Sequence, residues 1–182
     1  MSKENFTQDF VFKIVVIGDG AVGKTSLIKR YTEGSFDKQY IKTLGAQFSR
    51  YEQVFGEKDK VRCRLFFWDI AGQKEFSFMR PTFYNGAKAV IVVYDLSRPE
   101  TFKSIMEWHS DITKYCGVLP TIIFGNKVDL IDEDTHDSSA LDSLVEKQKF
   151  IGSYLTSAKT GLHVHDAFNT LIDNLVQKAQ DS

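Results

Sequence analysis

The chain has 182 residues, 42% hydrophobic and 26% charged, enough to bury a core within one domain. Its formal net charge of −1 gives no electrostatic case for nucleic acid or an anionic membrane surface. No apolar run approaches the roughly 18 residues of a membrane span, residues 1–5 read as no signal peptide, and Cys63 and Cys116 lack metal or redox spacing. Ser2 stands where N-myristoylation demands glycine. A soluble cytoplasmic protein is expected.

Residues 1–9 read as a flexible polar lead. Phe12 to Ile17 is an apolar strand broken only by Lys13, and Leu27, Ile28 and Tyr31 then fall on one side of a helix. Between them stands Gly18-Asp19-Gly20-Ala21-Val22-Gly23-Lys24-Thr25, a G-x-x-x-x-G-K-T phosphate loop in its strand-to-helix setting. Glycines allow backbone N–H groups across Gly20, Ala21, Val22, Gly23, Lys24, Thr25 and Ser26 to turn toward a phosphate, and the helix adds its positive end. Lys24 can reach β- and γ-phosphates as a point charge, and the Thr25 hydroxyl can ligate Mg²⁺. A nucleoside phosphate is the expected ligand.

Gly34 closes the helix, and residues 35–42 have no clear period. Gln47 to Phe55 and Val61 to Trp68 read as antiparallel strands around a turn at 56–60. Asp69 to Gln73 follows as a loop. Ala89 to Tyr94 is a nearly continuous apolar run, as in a strand covered on both faces. Pro99 can start a helix in which Phe102, Ile105, His109 and Ile112 recur. Thr121 to Phe124 is another buried strand, Leu141, Leu144 and Val145 suggest a short helix, and Phe150 to Leu155 a last strand. Val164, Phe168, Leu171, Ile172, Leu175 and Val176 stripe the final helix. This order predicts an α/β fold in three layers: a six-stranded, mostly parallel sheet with one antiparallel edge strand and five helices. Ligands in such sheets sit beyond the carboxyl ends of the strands.

Asn126-Lys127-Val128-Asp129 follows one of those strand ends. A carboxylate at Asp129 can accept from N1–H and the 2-amino group of guanine, whereas adenine would leave it desolvated and unpaired. The stem of Lys127 can lie on the base. Ser157, Ala158 and Lys159, after the last strand, can approach its other edge.

With those motifs in order, the chain resembles the Ras superfamily of small GTPases over about residues 10–177, and looks most like the Rab branch. The motifs are GDGAVGKT at 18–25, Thr43 within YIKTLG, WDIAGQ at 68–73, NKVD at 126–129 and SAK at 157–159. The resemblance implies a GTPase domain over residues 10–178, with the start of a tail at 179–182. It implies that GTP and GDP bind with Mg²⁺, held by Thr25, Thr43 and, through water, Asp69. Phe36 would pack on guanine, Tyr40 would close over the phosphates, and the Gly72 N–H would meet the γ-phosphate. Catalysis would rest on Lys24, Thr43 and Gln73, the last orienting the attacking water. Gly20 lies where a side chain would crowd Gln73. No arginine is placed by motif to act as a finger in cis, so slow hydrolysis is expected. Phe48, Trp68 and Phe83 match an effector-facing aromatic triad, although strand aromatics are as a rule core. An exchange factor, an activating protein and a role in vesicle trafficking are implied, for a monomer that meets membranes only through a lipid anchor. No prenylatable cysteine precedes Ser182, so either the chain is truncated or it carries no such anchor.

Two residues depart from the family pattern D-T-A-G-Q-E. Ile70 replaces a hydroxyl with a packing side chain, and Lys74 reverses a charge that can help during nucleotide exchange, a role open to Glu75. The other reading of the same fold is a pseudo-GTPase scaffold that binds nucleotide without turnover. A small-molecule kinase lacks a lid-like Arg-rich segment here. Asp132, Asp134, His136 and Asp137 fail the calcium-loop pattern, which needs Gly at 137 and Glu at 143, and read as solvated surface together with His163 and His165.

Overall fold

The computed structural model describes residues 6–37, 39, 41–56, 60–132 and 136–181. Tyr40, Asp134, residues 1–5 and the middle of the 56–60 turn lie outside them. The sheet has six strands in the order β2-β3-β1-β4-β5-β6. They are β1 (Gln8–Ile17), β2 (Ala46–Phe55), β3 (Val61–Ile70), β4 (Ala89–Asp95), β5 (Thr121–Asn126) and β6 (Gly152–Thr156). All neighbouring pairs are parallel except β2 with β3, which places the antiparallel strand at an edge.

The helices are α1 (Lys24–Glu33), α2 (Arg80–Tyr84), α3 (Pro99–Lys103), α4 (Ile105–Cys116), α5 (Ser139–Gln148) and α6 (Val164–Gln180). Only Ser104 separates α3 from α4, so the expected single helix after Pro99 is interrupted there. The five expected helices are otherwise found, with added 3-10 turns at Lys74–Met79 and Val128–Leu130. In α4, Ile105, Trp108 and Ile112 carry the buried stripe, and His109 is half-buried against Phe150.

β4 shows why a continuous apolar strand belongs in the middle. Ala89, Ile91 and Val93 enter the core layer that also holds Leu27, Phe168 and Leu171, from α1 and α6. Val90, Val92 and Tyr94 enter the opposite layer, with Tyr84, Ile105, Trp108 and Leu141. Successive strand residues face opposite ways, so both layers need apolar side chains at every position. β3 is covered on one face: Cys63, Leu65 and Phe67 are buried, whereas Arg62, Arg64, Phe66 and Trp68 stay half-exposed.

Several boundaries differ from the sequence reading, among them β6, which runs Gly152–Thr156 and leaves out Phe150 and Ile151. β1 begins at Gln8, inside the polar lead, because Gln8 and Asp9 pair with Val61 and Arg62. α6 runs to Gln180, whose amide donates to Gln8 Oε1 at 2.6 Å. Asp69 and Ile70, expected in a loop, complete β3 opposite Gln47 and Ala46. Ile70 is buried among Val15, Ile17 and Tyr84, a packing role for the residue that departs from the family pattern. The carboxyl ends of β1, β3, β4, β5 and β6 share one edge of the sheet, where the loops that carry the motifs gather.

Candidate functional site

The loop after β1 turns on Gly23, at φ 102°, which a side chain would disfavour. A Cβ there would also overlap the Asn126 amide nitrogen, so the loop can approach β5 only with glycine at this point. α1 then starts at Lys24. The Lys24 ammonium donates to the carbonyls of Gly18 and Asp19, both at 2.9 Å. Burial lowers its pKa to about 8, against the opposing pull of Asp69 and Asp19. A buried amine curled on its own loop gains from an anion that replaces lost hydration.

Next to it, three oxygen side chains from separate segments converge. Thr25 donates its hydroxyl to Asp69 Oδ2, and Thr43 Oγ1 lies 3.2 Å from Thr25 Oγ1 and 3.4 Å from the same carboxylate oxygen. Asp69 is 2% exposed, and its second oxygen, Oδ1, is buried with no hydrogen-bond partner among the described residues. Burial raises the Asp69 pKa, which Lys24 and the two hydroxyls oppose. An all-oxygen set with an unsatisfied carboxylate oxygen suits a hard divalent cation such as Mg²⁺.

The segment after β3 closes on the phosphate loop. A Cβ at Gly72 would overlap the Asp19–Gly20 peptide, so glycine is required for this approach. Gln73 stands just beyond, and a Cβ at Gly20 would lie 3.5 Å from its Nε2. That is ordinary contact for a methyl group, so crowding of Gln73 would begin with larger side chains. The Ala71 N–H donates to Gly45 O at 2.9 Å, joining the segments that follow β3 and precede β2. Glu75 pairs with Lys42 at 3.4 Å rather than with Lys24.

The loops after β5 and β6 brace one another and the loop after β1. The Asn126 amide donates to Val22 O at 2.9 Å, and its oxygen accepts from the Thr156 hydroxyl at 3.3 Å and the Ala158 N–H at 3.2 Å. Ser157 is fully buried behind Asp129, where its hydroxyl donates to Oδ1 at 2.6 Å and orients the carboxylate. Lys159 sits 3.6 Å from the other oxygen. Phe36, Thr43, Gln73, Lys127, Asp129 and Lys159 all line one cavity of about 320 Å³ with Gly20, Ala21, Gly23, Lys24, Thr25, Ser26, Gly72, Asn126 and Ala158. Val22 contributes its carbonyl to the brace while its side chain is core. Of the expected binding residues, only Tyr40 lies outside the described ones.

Sequence reasoning missed several residues. Asp95, 1% exposed at the end of β4, accepts from Lys127 Nζ at 2.7 Å and Arg98 Nε at 3.0 Å. Burial alone would raise its pKa, but donation from Lys127, Ser97 and Arg98 holds it below the usual carboxylate value. Trp108 Nε1 donates to Asp19 Oδ1 at 2.7 Å. The Arg80 guanidinium lies 3.9 Å from the centre of the Trp108 ring and donates to Gln73 O at 3.4 Å. Arg30 Nε donates to Ala158 O at 2.7 Å. Only Asp95 had a signal, as a carboxylate ending an apolar strand on the ligand side.

On the outer face of the sheet, Phe48 is paired in register with Trp68, their rings 5.6 Å apart and edge to face. Trp68 also lies 5.9 Å from the Phe83 ring and 4.2 Å beneath Lys13 Nζ. Phe48 is 52% exposed, so this cluster borders the core instead of filling it.

Comparison with known proteins agrees with this geometry. The Ras family matches over residues 13–177. The chain is 32% identical over 179 residues to mouse Ras-related protein Rab-32, covering 96% of this chain and 79% of that protein. It is 36% identical over 175 residues to Ras-related protein Rab-32B of Dictyostelium discoideum, covering 93% and 66%. It is 34% identical over 182 residues to bovine Ras-related protein Rab-3C, covering 100% and 78%. The chain belongs to the Ras family of small GTPases and is most like its Rab branch.

Proposed function

We propose that this small GTPase is a guanine-nucleotide switch that binds GTP and GDP with Mg²⁺ and slowly hydrolyses GTP to GDP and phosphate. The observation that carries the reading is the meeting of Thr25 and Thr43 at the Asp69 carboxylate. It ties the phosphate loop, residues 35–48 and residues 69–84 to one small region. Thr25 and Thr43 would hold Mg²⁺, with Asp69 acting through water, and the ion would neutralise charge on the β- and γ-phosphate oxygens. Lys24 and the loop amides hold the phosphates, and the Asp129 carboxylate accepts from guanine. Gln73 orients the water that attacks the γ-phosphorus as the bond to the bridging oxygen breaks. Once phosphate leaves, Thr43 and Gly72 lose the group they share, which frees residues 35–48 and 69–84.

Arg80 and Arg98 both donate to protein acceptors, which supports slow unaided turnover. The switch acts in the cytoplasm in vesicle trafficking, peripheral to membranes; no helix among the described residues is long and apolar enough to cross one. An effector reads residues 35–48 and 69–84 with Phe48, Trp68 and Phe83, and an exchange factor and an activating protein set the state.

Competition binding of GDP against ADP, with and without chelation of Mg²⁺, tests the reading. GDP should win by about 10⁴-fold or more, and chelation should speed GDP release. Equal affinity for ADP, or release indifferent to chelation, would overturn it.

A further inference from the structure

Asp95 is the meeting point of two cations that each reach on to the phosphate loop. Its Oδ2 takes Lys127 Nζ at 2.7 Å and Arg98 Nε at 3.0 Å. Its Oδ1 takes the Ser97 N–H at 2.9 Å and the Ser97 hydroxyl at 2.6 Å, so both carboxylate oxygens are engaged. From this shared anchor the cations diverge to neighbouring carbonyls. Lys127 donates to Ala21 O, and Arg98, through Nη2, donates to Gly20 O, both at 2.9 Å.

A peptide unit is planar and trans, so its C=O and the following N–H point in opposite directions. Holding the carbonyls of Gly20 and Ala21 therefore fixes the directions of the Ala21 and Val22 N–H groups, two of the loop amides assigned above to phosphate. Asp95 sits at the end of β4, and Lys127 belongs to the loop that reads the base. One buried carboxylate thus ties base recognition, phosphate recognition and the rigid centre of the sheet together.

We propose that Asp95 and Arg98 are positioning residues that latch the Gly20–Ala21 corner and set how long bound GDP is retained. The inference rests on the guanine-nucleotide reading and adds to it the group that governs release. Arg98 supplies the half of the latch that can be removed cleanly. It is partly exposed, and without it Asp95 keeps Lys127 and Ser97 while Ala21 O keeps its donor. Lysine at 98 can reach Asp95 or Gly20 O with its single ammonium, but lacks the fork that spans both.

The experiment is stopped-flow binding of a fluorescent GDP to wild type, Arg98→Ala and Arg98→Lys, each in Mg²⁺, with melting of the GDP-saturated proteins alongside. Arg98→Ala should speed GDP dissociation about tenfold, as loss of the charge-assisted hydrogen bond that holds Gly20 O implies. Association and the preference for GDP over XDP should stay within about twofold of wild type, since the base contacts and pocket mouth are untouched. Arg98→Lys should fall between the two. Dissociation from Arg98→Ala within about twofold of wild type would overturn the latch. So would equal acceleration of association and dissociation, the mark of a gate, or a lysine variant no better than alanine. A wild-type protein that fails to bind GDP would instead overturn the guanine-nucleotide reading.

Discussion

Trp108 donates its indole N–H to the Asp19 carboxylate at 2.7 Å, joining helix α4 to the phosphate loop. The outer face of the same indole carries Arg80, whose guanidinium also reaches Gln73 O and lies 3.7 Å from Asp111. One buried ring thus touches both the loop after β1 and the arginine that reaches Gln73.

Trp108→Phe keeps an aromatic face for Arg80 but removes the donor to Asp19. Stability of the GDP-bound protein should fall by about 1–2 kcal/mol, measured by urea unfolding. Trp108→Ala opens a cavity as well and should cost about 3–5 kcal/mol. A phenylalanine variant as stable as wild type would mean that the Asp19 contact contributes nothing.

Base choice should rest on Asp129. Asp129→Asn replaces an acceptor by an amide donor, which suits the 2-oxo group of xanthine and not the 2-amino group of guanine. In competition binding, preference should move from GDP toward XDP by about 10²-fold or more. An unchanged preference for GDP would remove Asp129 from the base contact.

Phe48 and Phe67 test the two faces of the same β2–β3 pair. Phe67 is fully buried, so Phe67→Ala should cost about 3–5 kcal/mol in chemical unfolding. Phe48→Ala should cost less than about 1 kcal/mol, because half of its surface already meets water. A partner that reads the GTP-bound form should nonetheless lose binding to Phe48→Ala and to Trp68→Ala, since exposed aromatics serve as interface anchors. Comparable destabilisation by Phe48→Ala and Phe67→Ala would make Phe48 core, and the docking face would lie elsewhere.

The parts of the site legible in the sequence are those whose chemistry is local. The glycines and lysine of residues 18–25 act through their own backbone and one side chain, so spacing alone exposes them. β4 was legible because two-sided burial demands an unbroken apolar run. By contrast, the Arg98 bond to Gly20 spans 78 positions and that of Trp108 to Asp19 spans 89, with no pattern linking either pair. Trp108 and His109 both lie near the same helical stripe, and only the packing of α4 on the sheet decides which turns inward. In the sequence, the Asp69 carboxylate after an apolar strand reads as the start of a loop. Pairing with Gln47 keeps it in β3 and aims it at Thr25.

Single-turnover GTP hydrolysis by wild type and Gln73→Leu, with GDP affinity measured on both, tests the central claim that this site is a hydrolytic switch. The wild type should convert bound GTP to GDP and phosphate in Mg²⁺. Gln73→Leu should slow that step by about tenfold or more while GDP affinity stays within about twofold, as the proposed role of Gln73 in orienting water rather than holding nucleotide requires. Tight GTP binding with no turnover in the wild type would contradict the account and make the chain a nucleotide-holding scaffold.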